Sequence, residues 1–162
     1  MRILGIDPGL QVCGYACLES DNVGTKLIEA GVLRIANNFA IEIRLNKIAE
    51  DMALLIKNFE PQIVAVEDLY SHYSHPKTAI LMGHARGVIL QKCAEAGIKV
   101  KSFGATRIKK SLTGNGRASK IQVQRTIQTI FSLPEMPEPN DVADAMAAAL
   151  CCSNSIANIA AI

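Results

Sequence analysis

Arg2-Ile3-Leu4-Gly5-Ile6-Asp7-Pro8-Gly9 opens the chain, and this stretch carries one acidic side chain from a short apolar run into a Pro-Gly break. The run is short and is bounded by a turn signal, which favours a buried strand over a helix. Pro8 fixes φ and removes a backbone donor, and Gly9 allows a sharp turn, so the chain leaves the sheet directly after the acid. Asp7 is therefore either a turn-initiating residue or a carboxylate at the mouth of a buried strand.

A second apolar run ends in the same way. Ile63-Val64-Ala65-Val66-Glu67 is continuously apolar up to its final acid, which is typical of a strand covered on both faces of a parallel sheet. Active-site groups of such sheets gather at the carboxyl ends of strands, so Glu67 strengthens the functional interpretation of Asp7. Asp68 points to the other face if the strand continues, and we expect it to take a smaller part.

The whole chain of 162 residues, 49% of them hydrophobic, predicts one α/β domain with enough apolar residues for a hydrophobic core. Hydrophobic periodicity and turn residues predict further strands over 12–18, 26–35 and 98–103, the first two forming an antiparallel meander with the opening strand. The same signals predict helices over 41–59, 78–96, 106–112 and 119–131, and one from 141 onward. The expected helix-capping residues are Asn37 or Asn38, Thr106 and Asn140, whereas Ser119 is expected to begin a helix and Gly97 to end one.

Other classes of protein are disfavoured by the rest of the composition. The first apolar run stops at Asp7, which argues against a secretory signal. Residues 145–162 carry no charge, but Ser and Asn interrupt them, so we expect a buried helix with a loose tail after about residue 152 rather than a membrane span. His72 and His75 lack a third nitrogen or sulfur ligand nearby and are interpreted as surface loop residues. An odd number of cysteines without a CxxC pair indicates reduced thiols, at Cys13, Cys17, Cys93, Cys151 and Cys152.

Positive charge is concentrated in one segment. The formal net charge is only +2, yet no acidic residue lies between Glu95 and Glu135. The remaining 9 basic and 15 acidic residues give the rest of the chain a formal net charge of −6. This segregation is typical of a polyanion site beside an acidic pocket, and the alternative is an ordinary solvated basic face. The eight cations of the segment are Lys99, Lys101, Arg107, Lys109, Lys110, Arg117, Lys120 and Arg125.

A third acidic element follows the basic segment. Asp141 and Asp144 lie three residues apart at a predicted helix start, so both carboxylates share one face. Acids in a first turn interact favourably with the helix dipole, which by itself explains such a pair. Together with Asp7 and Glu67 they instead predict a carboxylate site for Mg²⁺ or Mn²⁺. Beside a basic segment, the expected chemistry is phosphodiester hydrolysis, with two ions and nearby lysines stabilising the charge on the phosphate.

Five motifs in sequence resemble the RuvC family of Holliday junction resolvases over about the first 152 residues. The resemblance implies a ribonuclease H-like fold with a five-stranded mixed sheet flanked by helices. It also implies a homodimeric, cytoplasmic bacterial endonuclease that cuts four-way DNA junctions in recombination and repair, with two Mg²⁺ ions per site and the branch-migration complex RuvA-RuvB as partner. The motifs are Leu4-Gly5-Ile6-Asp7-Pro8-Gly9, Val66-Glu67, His84-Ala85-Arg86-Gly87-Val88, Thr113-Gly114-Asn115-Gly116 with Lys120, and Asp141-Val142-Ala143-Asp144-Ala145.

The resemblance assigns roles to individual residues. Many members of the family have Gln where this chain has Asp68, which brings an extra charge beside Glu67. The metal-binding and catalytic acids are Asp7, Glu67, Asp141 and Asp144, and the catalytic lysines are Lys109 and Lys120. The expected DNA-binding residues are Tyr70, Arg86, Lys109, Lys110, Arg117 and Lys120.

Small residues from Ala79 to Gly87 form a face that either contacts a second copy of the chain in a C2 dimer or packs on the chain's own sheet. The other functions considered are a non-catalytic nucleic-acid binding module, whose acids are caps and turn residues, and an RNA-processing nuclease on the same fold. A sugar-kinase relative also opens with a strand-borne Asp and Gly, but this chain is too short for two lobes.

Overall fold

The structure is a computed structural model and describes residues 1–69 and 76–160. Five strands form one mixed sheet in the order β3-β2-β1-β4-β5, and helices flank it, which confirms the predicted α/β architecture. The strands are β1 (Arg2–Asp7), β2 (Val12–Ser20), β3 (Thr25–Arg34), β4 (Ile63–Glu67) and β5 (Lys99–Phe103). The helices are α1 (Ile41–Phe59), α2 (Pro76–Glu95), α3 (Ala105–Thr113), α4 (Lys120–Ile130) and α5 (Asn140–Ala160).

Strand β1 lies at the centre of the sheet and is buried on both faces. It pairs antiparallel with β2 and parallel with β4, which completes the predicted meander and the parallel part of the sheet. Ile3 contributes to the hydrophobic cluster under α3, α4 and α5, whereas Leu4 and Ile6 contribute to the cluster under α1 and α2. The alternation of side chains along the strand therefore explains the continuous apolar run, because each face has its own helical layer.

Helix α1 has the predicted bounds, and Ile48, Met52 and Leu55 are buried along its apolar face. The predicted capping by Asn37 or Asn38 is wrong, because both lie in a turn and the N-cap position is Ala40, without a side-chain cap. Ile41, the first residue of the helix, packs against the cluster that contains Leu4 and Ile6, so tertiary packing supports this end of the helix in place of a side-chain cap.

Two further capping predictions are wrong, whereas the helix that was predicted to begin at Ser119 has this residue as its N-cap. Helix α3 follows Gly104, so Thr106 already lies within its first turn. Asn140 is the first residue of α5, and its side-chain oxygen accepts a hydrogen bond from Gln124 Nε2 at 2.9 Å. Ser119 caps α4, because its side chain accepts from the Gln122 backbone N–H and the Gln122 side chain accepts from the Ser119 N–H.

The expected loose tail after residue 152 is also wrong, since α5 continues to Ala160. The polar side chain of Ser153 is buried, and its Oγ lies 2.9 Å from both Ser20 Oγ and Thr25 Oγ1. The Ser153 hydroxyl, which interrupts the apolar segment in sequence, is therefore satisfied by hydroxyls at the adjoining ends of β2 and β3. The helix is therefore held against the sheet along most of its length.

All five cysteines are free, as predicted from their number and spacing, and the structure shows that all five are also buried. In residues 1–69 and 76–160, no helix combines the length and the apolarity that crossing a bilayer requires.

The small-residue face of α2 is divided: Ala85 is fully buried with Ile89 and Cys93, whereas a Cβ at Gly87 would meet nothing within 4 Å. Part of this face packs on the chain's own core, and part is open.

Two glycines allow α5 to lie directly on the sheet. A Cβ on Gly5 of β1 would lie 2.1 Å from Ala145 O and 2.8 Å from Ala149 Cβ. A Cβ on Gly14 of β2 would lie 1.9 Å from Asp141 O. Because both distances to backbone oxygen are far below van der Waals contact, the helix backbone reaches this position only where the strands carry no side chain.

We expect Gly5→Ala to destabilise the protein by about 3 kcal/mol or more, because the methyl group must displace the α5 backbone from the sheet. Urea unfolding monitored by circular dichroism measures the change. The matched control is Gly24→Ala, since a Cβ there meets nothing within 4 Å and should change stability by less than about 0.5 kcal/mol. Equal stabilities of the two variants would contradict the close approach.

Candidate metal centre and nucleic-acid interface

The ends of β1 and β4 place two acids side by side. Ile6 pairs with Val66 in parallel register, so the next residues, Asp7 and Glu67, leave adjacent strands at the same edge of the sheet. Both side chains are partly buried. The sequence prediction that these acids converge at the carboxyl edge is therefore consistent with the strand register.

Helix α5 brings the second pair of acids to the same edge. Asp7 pairs with Gly14 in the β1–β2 ladder, and the Asp141 backbone lies against Gly14. Asp144 follows one turn later on the same helical face and is partly buried. The strands and the helix thus direct four carboxylates towards one region, which we call the acidic cluster: Asp7, Glu67, Asp141 and Asp144.

Burial and mutual repulsion make the charged state of the acidic cluster unfavourable. Burial, followed by the charges of Asp144, Glu67 and Asp141, raises the pKa of Asp7 from 3.8 to about 8. Burial and the Asp144 charge also raise the pKa of Glu67. Burial raises the pKa of Asp144, and the Asp141 charge adds to this effect. Such a group of acids gains stability from any positive charge that enters it.

The chemistry of the acidic cluster fits a hard divalent cation. All of its donor atoms are carboxylate oxygens, which Mg²⁺ and Mn²⁺ prefer, and a cation would relieve the repulsion that raises these pKa values. Among the described residues, no three Asp, Glu, His or Cys side chains are already arranged as a complete ligand set. The acids are therefore close enough to interact electrostatically but are not preassembled around one point.

Two lysines lie beside the acidic cluster, as the sequence predicted. Lys109 and Lys120 line a pocket of about 260 Å³ together with Glu67 and Asp144. Lys120 Nζ is 3.8 Å from Asp144 Oδ2, and its side chain is 67% exposed. Both lysines lower the pKa values of Glu67 and Asp144 and so oppose the effect of burial. An exposed cation in this position can also reach a bound phosphate.

A second pocket borders the other side of the acidic cluster and contains a residue that the sequence analysis missed. Asp7, Asp141 and Arg44 line this pocket, which has a volume of about 510 Å³. Arg44 Nη2 donates a hydrogen bond to Leu10 O at 3.0 Å and so holds the turn that follows Asp7. The sequence contains no signal for this role, because an arginine beside the apolar face of a helix resembles any surface arginine.

The remaining predicted DNA-binding residues are not gathered at the acidic cluster. Lys110 lines a separate pocket of about 470 Å³ with Arg107, because consecutive residues on a helix point in different directions. Arg117 is exposed in the turn before α4. Arg86 forms an ion pair with Asp68, and Tyr70 lies outside the described residues. Their contacts with DNA stay predictions.

The chain matches a known family over almost its whole length. The family model "Crossover junction endodeoxyribonuclease RuvC" matches residues 3–152, which agrees with the extent of the five motifs. The crossover junction endodeoxyribonuclease RuvC of Rhodopirellula baltica is 46% identical over 149 residues, which cover 92% of this chain and 84% of the relative.

Solved structures show the same fold. The chain is similar to Thermus thermophilus RuvC with a TM-score of 0.89 and 29% identity, over 98% of this chain and 96% of that one. It is similar to T. thermophilus RuvC in complex with a Holliday junction substrate with a TM-score of 0.88 and 26% identity, over the same shares. These matches confirm the expected ribonuclease H-like fold.

We expect Asp7→Asn to be more stable than the parent at pH 8 without divalent cations. The folded parent keeps a proton on Asp7 that the unfolded chain loses above about pH 4, so its stability falls as pH rises from about 4 to about 8. Each pKa unit corresponds to roughly 1.4 kcal/mol, and the total effect is several kcal/mol. Urea unfolding at a series of pH values in EDTA measures it.

The control for this experiment is Glu19→Gln, which also replaces an acid by its amide. Glu19 is exposed and pairs with Arg2, at the end of β1 opposite to Asp7. This variant should retain the pH dependence of the parent, whereas Asp7→Asn should show a flatter profile. Parallel profiles for Asp7→Asn and the parent would contradict the burial of an ionisable cluster.

Proposed function

The chain belongs to the RuvC family of crossover junction endodeoxyribonucleases, and from this membership we propose that the acidic cluster and two lysines form its catalytic site. The protein is a Holliday junction resolvase, a hydrolase that cuts four-way DNA junctions in recombination. The observation that supports the catalytic site is the convergence of four partly buried acids with Lys109 and Lys120 at one edge of the sheet.

We propose that the acidic cluster holds Mg²⁺, with Mn²⁺ able to substitute, and that two ions bind each site. When bound, such ions activate water for attack on the phosphate and stabilise the leaving oxygen. Asp7, Glu67, Asp141 and Asp144 are the proposed ligands, because they supply only oxygen donors and share an uncompensated negative charge. Their positions on two strands and one helix fix them independently of any loop.

The two lysines have a complementary role. Lys109 and Lys120 line the pocket beside Glu67 and Asp144, where the phosphate of a DNA strand would accumulate negative charge during hydrolysis. Lys120 is mostly exposed, so it is free to contact the substrate without losing a buried interaction. Arg44 supports the turn after Asp7 on the opposite side.

We further propose a homodimer, because two identical sites related by C2 symmetry match a junction whose strands are cut in pairs. Ile80 is 61% exposed and the space beside Gly87 is open, so part of the α2 face is available to a second copy. The proposed partner complex is RuvA-RuvB, and the proposed location is the bacterial cytoplasm, where the DNA lies.

A non-catalytic binding module explains the acidic cluster less well. If Asp7 and Glu67 were only turn residues, their burial beside Asp144 would cost stability with no compensation. A divalent-metal titration separates the two functions, since a pure binding module needs no divalent ion. An RNA-processing nuclease is separated from a DNA resolvase by competition between a DNA junction and structured RNA, scored by cleavage.

Asp7→Asn should abolish cleavage of a four-way junction in Mg²⁺, by at least about a thousandfold, while binding of the junction survives. The substitution removes a proposed ligand but also removes negative charge near the DNA. Cleavage is measured on matched junction, duplex and flap substrates, and binding by gel shift in EDTA. Glu19→Gln is the matched control and should cleave like the parent. Parental cleavage by Asp7→Asn would refute the assignment.

Lys109→Ala and Lys120→Ala should each weaken junction binding and lower the salt dependence of the affinity. Each phosphate contact contributes about 0.9 to the slope of log K against log salt, so each variant should reduce the slope by about one. The control is Lys57→Ala, at an exposed lysine near the end of α1. Phe59 O at this end of the helix accepts a hydrogen bond from Arg2 Nη1, so Lys57 lies near the amino end of β1, whereas the acidic cluster lies at its carboxyl end. Unchanged slopes for Lys109→Ala and Lys120→Ala would exclude phosphate contacts.

A further inference from the structure

Arg86 of α2 is held by two partners on the sheet. Its Nη2 donates to Ser102 Oγ at 2.7 Å and lies 3.2 Å from Asp68 Oδ1. The side chain is only 19% exposed, and its Nε is buried with no hydrogen-bond partner in the part of the chain that the structure describes. The guanidinium group is therefore engaged inside the protein and presents little surface to a ligand.

The partners of Arg86 lie on adjacent strands, since Asp68 directly follows β4 and Ser102 lies on β5 opposite Val66. Glu67 pairs with Phe103 in the β4–β5 ladder, and the Asp68 backbone N–H donates to Phe103 O at 3.0 Å. The backbone of Asp68 is thus tied to β5, and its side chain is tied to α2 through Arg86. These two attachments come directly after Glu67 and fix the direction in which the strand ends.

We propose that Arg86 is a positioning residue, which holds Asp68 and thereby places Glu67 in the acidic cluster, rather than a residue that contacts DNA. Nη2 of Arg86 serves both Asp68 and Ser102, and the side chain is only 19% exposed, so little of the guanidinium group is presented to a phosphate. The inference rests on the proposed function to the extent that Glu67 is a metal ligand.

The identity of residue 68 supports this role. An acid directly beside Glu67 adds negative charge to a group that is already repelled by its neighbours. Arg86 compensates that charge, and loss of Asp68 would leave a mostly buried cation without its partner. Asp68 and Arg86 therefore act as a unit, and this unit adds no net charge next to the acidic cluster.

The test compares Arg86→Met with Arg86→Lys and the parent. If Arg86 positions Glu67, Arg86→Met should raise the Mg²⁺ concentration for half-maximal cleavage by about tenfold, as loss of an orienting contact does in metal sites. The rise in melting temperature that Mg²⁺ causes without DNA should shrink in parallel. Junction affinity in EDTA and its salt slope should match the parent, unlike those of Lys120→Ala.

Arg86→Lys keeps the charge but lacks the longer, planar guanidinium group through which Nη2 contacts Asp68 and Ser102 together, so it should share the Mg²⁺ defect. A DNA-contacting role would predict the reverse: near-parental behaviour of Arg86→Lys, and weaker binding by Arg86→Met in EDTA. That result would overturn the inference. Arg86→Lys also provides the test if Arg86→Met does not fold.

Asp68→Asn provides an independent test. It should reproduce the Mg²⁺ defect, and the double variant with Arg86→Met should be no worse than either single variant, because the two residues act through one contact. Additive defects, or parental Mg²⁺ dependence in all three variants, would overturn the inference. If those variants behave like the parent while Asp7→Asn is inactive, only this inference fails. If Asp7→Asn still cleaves, the proposed function itself fails.

Discussion

The direct contact between α5 and the centre of the sheet is the constraint on which the rest of the structure depends. Gly5 and Gly14 leave no side chain between the strands and the backbone of Ala145 and Asp141. Four alanines in the middle of α5 are buried, which explains why this uncharged segment is so rich in a small residue: Ala145, Ala147, Ala148 and Ala149. The same contact carries Asp141 and Asp144 to the strand ends that bear Asp7 and Glu67.

This arrangement concentrates negative charge where the fold is least able to solvate it. Asp7 ends the central strand and has acids on a neighbouring strand and on α5, so the pKa of its carboxyl rises the most among the acids. Lys109 and Lys120 compensate only in part, and Lys120 is largely exposed. A site that is destabilised without a cation is well suited to bind one. The acids that the function requires therefore lower the stability of the cation-free protein.

The cations of the basic segment serve different purposes because helical geometry separates them. Lys109 and Lys110 are adjacent in sequence, yet they line different pockets on two sides of α3. Arg86 also belongs to the RuvC-like motifs, but its contacts are with Asp68 and Ser102 of its own chain. A cluster of positive charge in a sequence therefore does not define one binding surface.

The sequence by itself determined the features that depend on local patterns. Periodicity predicted the bounds of α1, local patterns indicated that a helix begins at Ser119, and two apolar runs ending in Asp7 and Glu67 predicted the edge of the sheet. Only the tertiary structure decided the features that require a distant partner. Arg44 meets Leu10, and Arg86 meets Asp68, through contacts between elements. The side-chain oxygen of Asn140 accepts from Gln124 instead of capping its own helix. Such choices depend on which groups packing brings within hydrogen-bonding distance, and no local pattern contains that information.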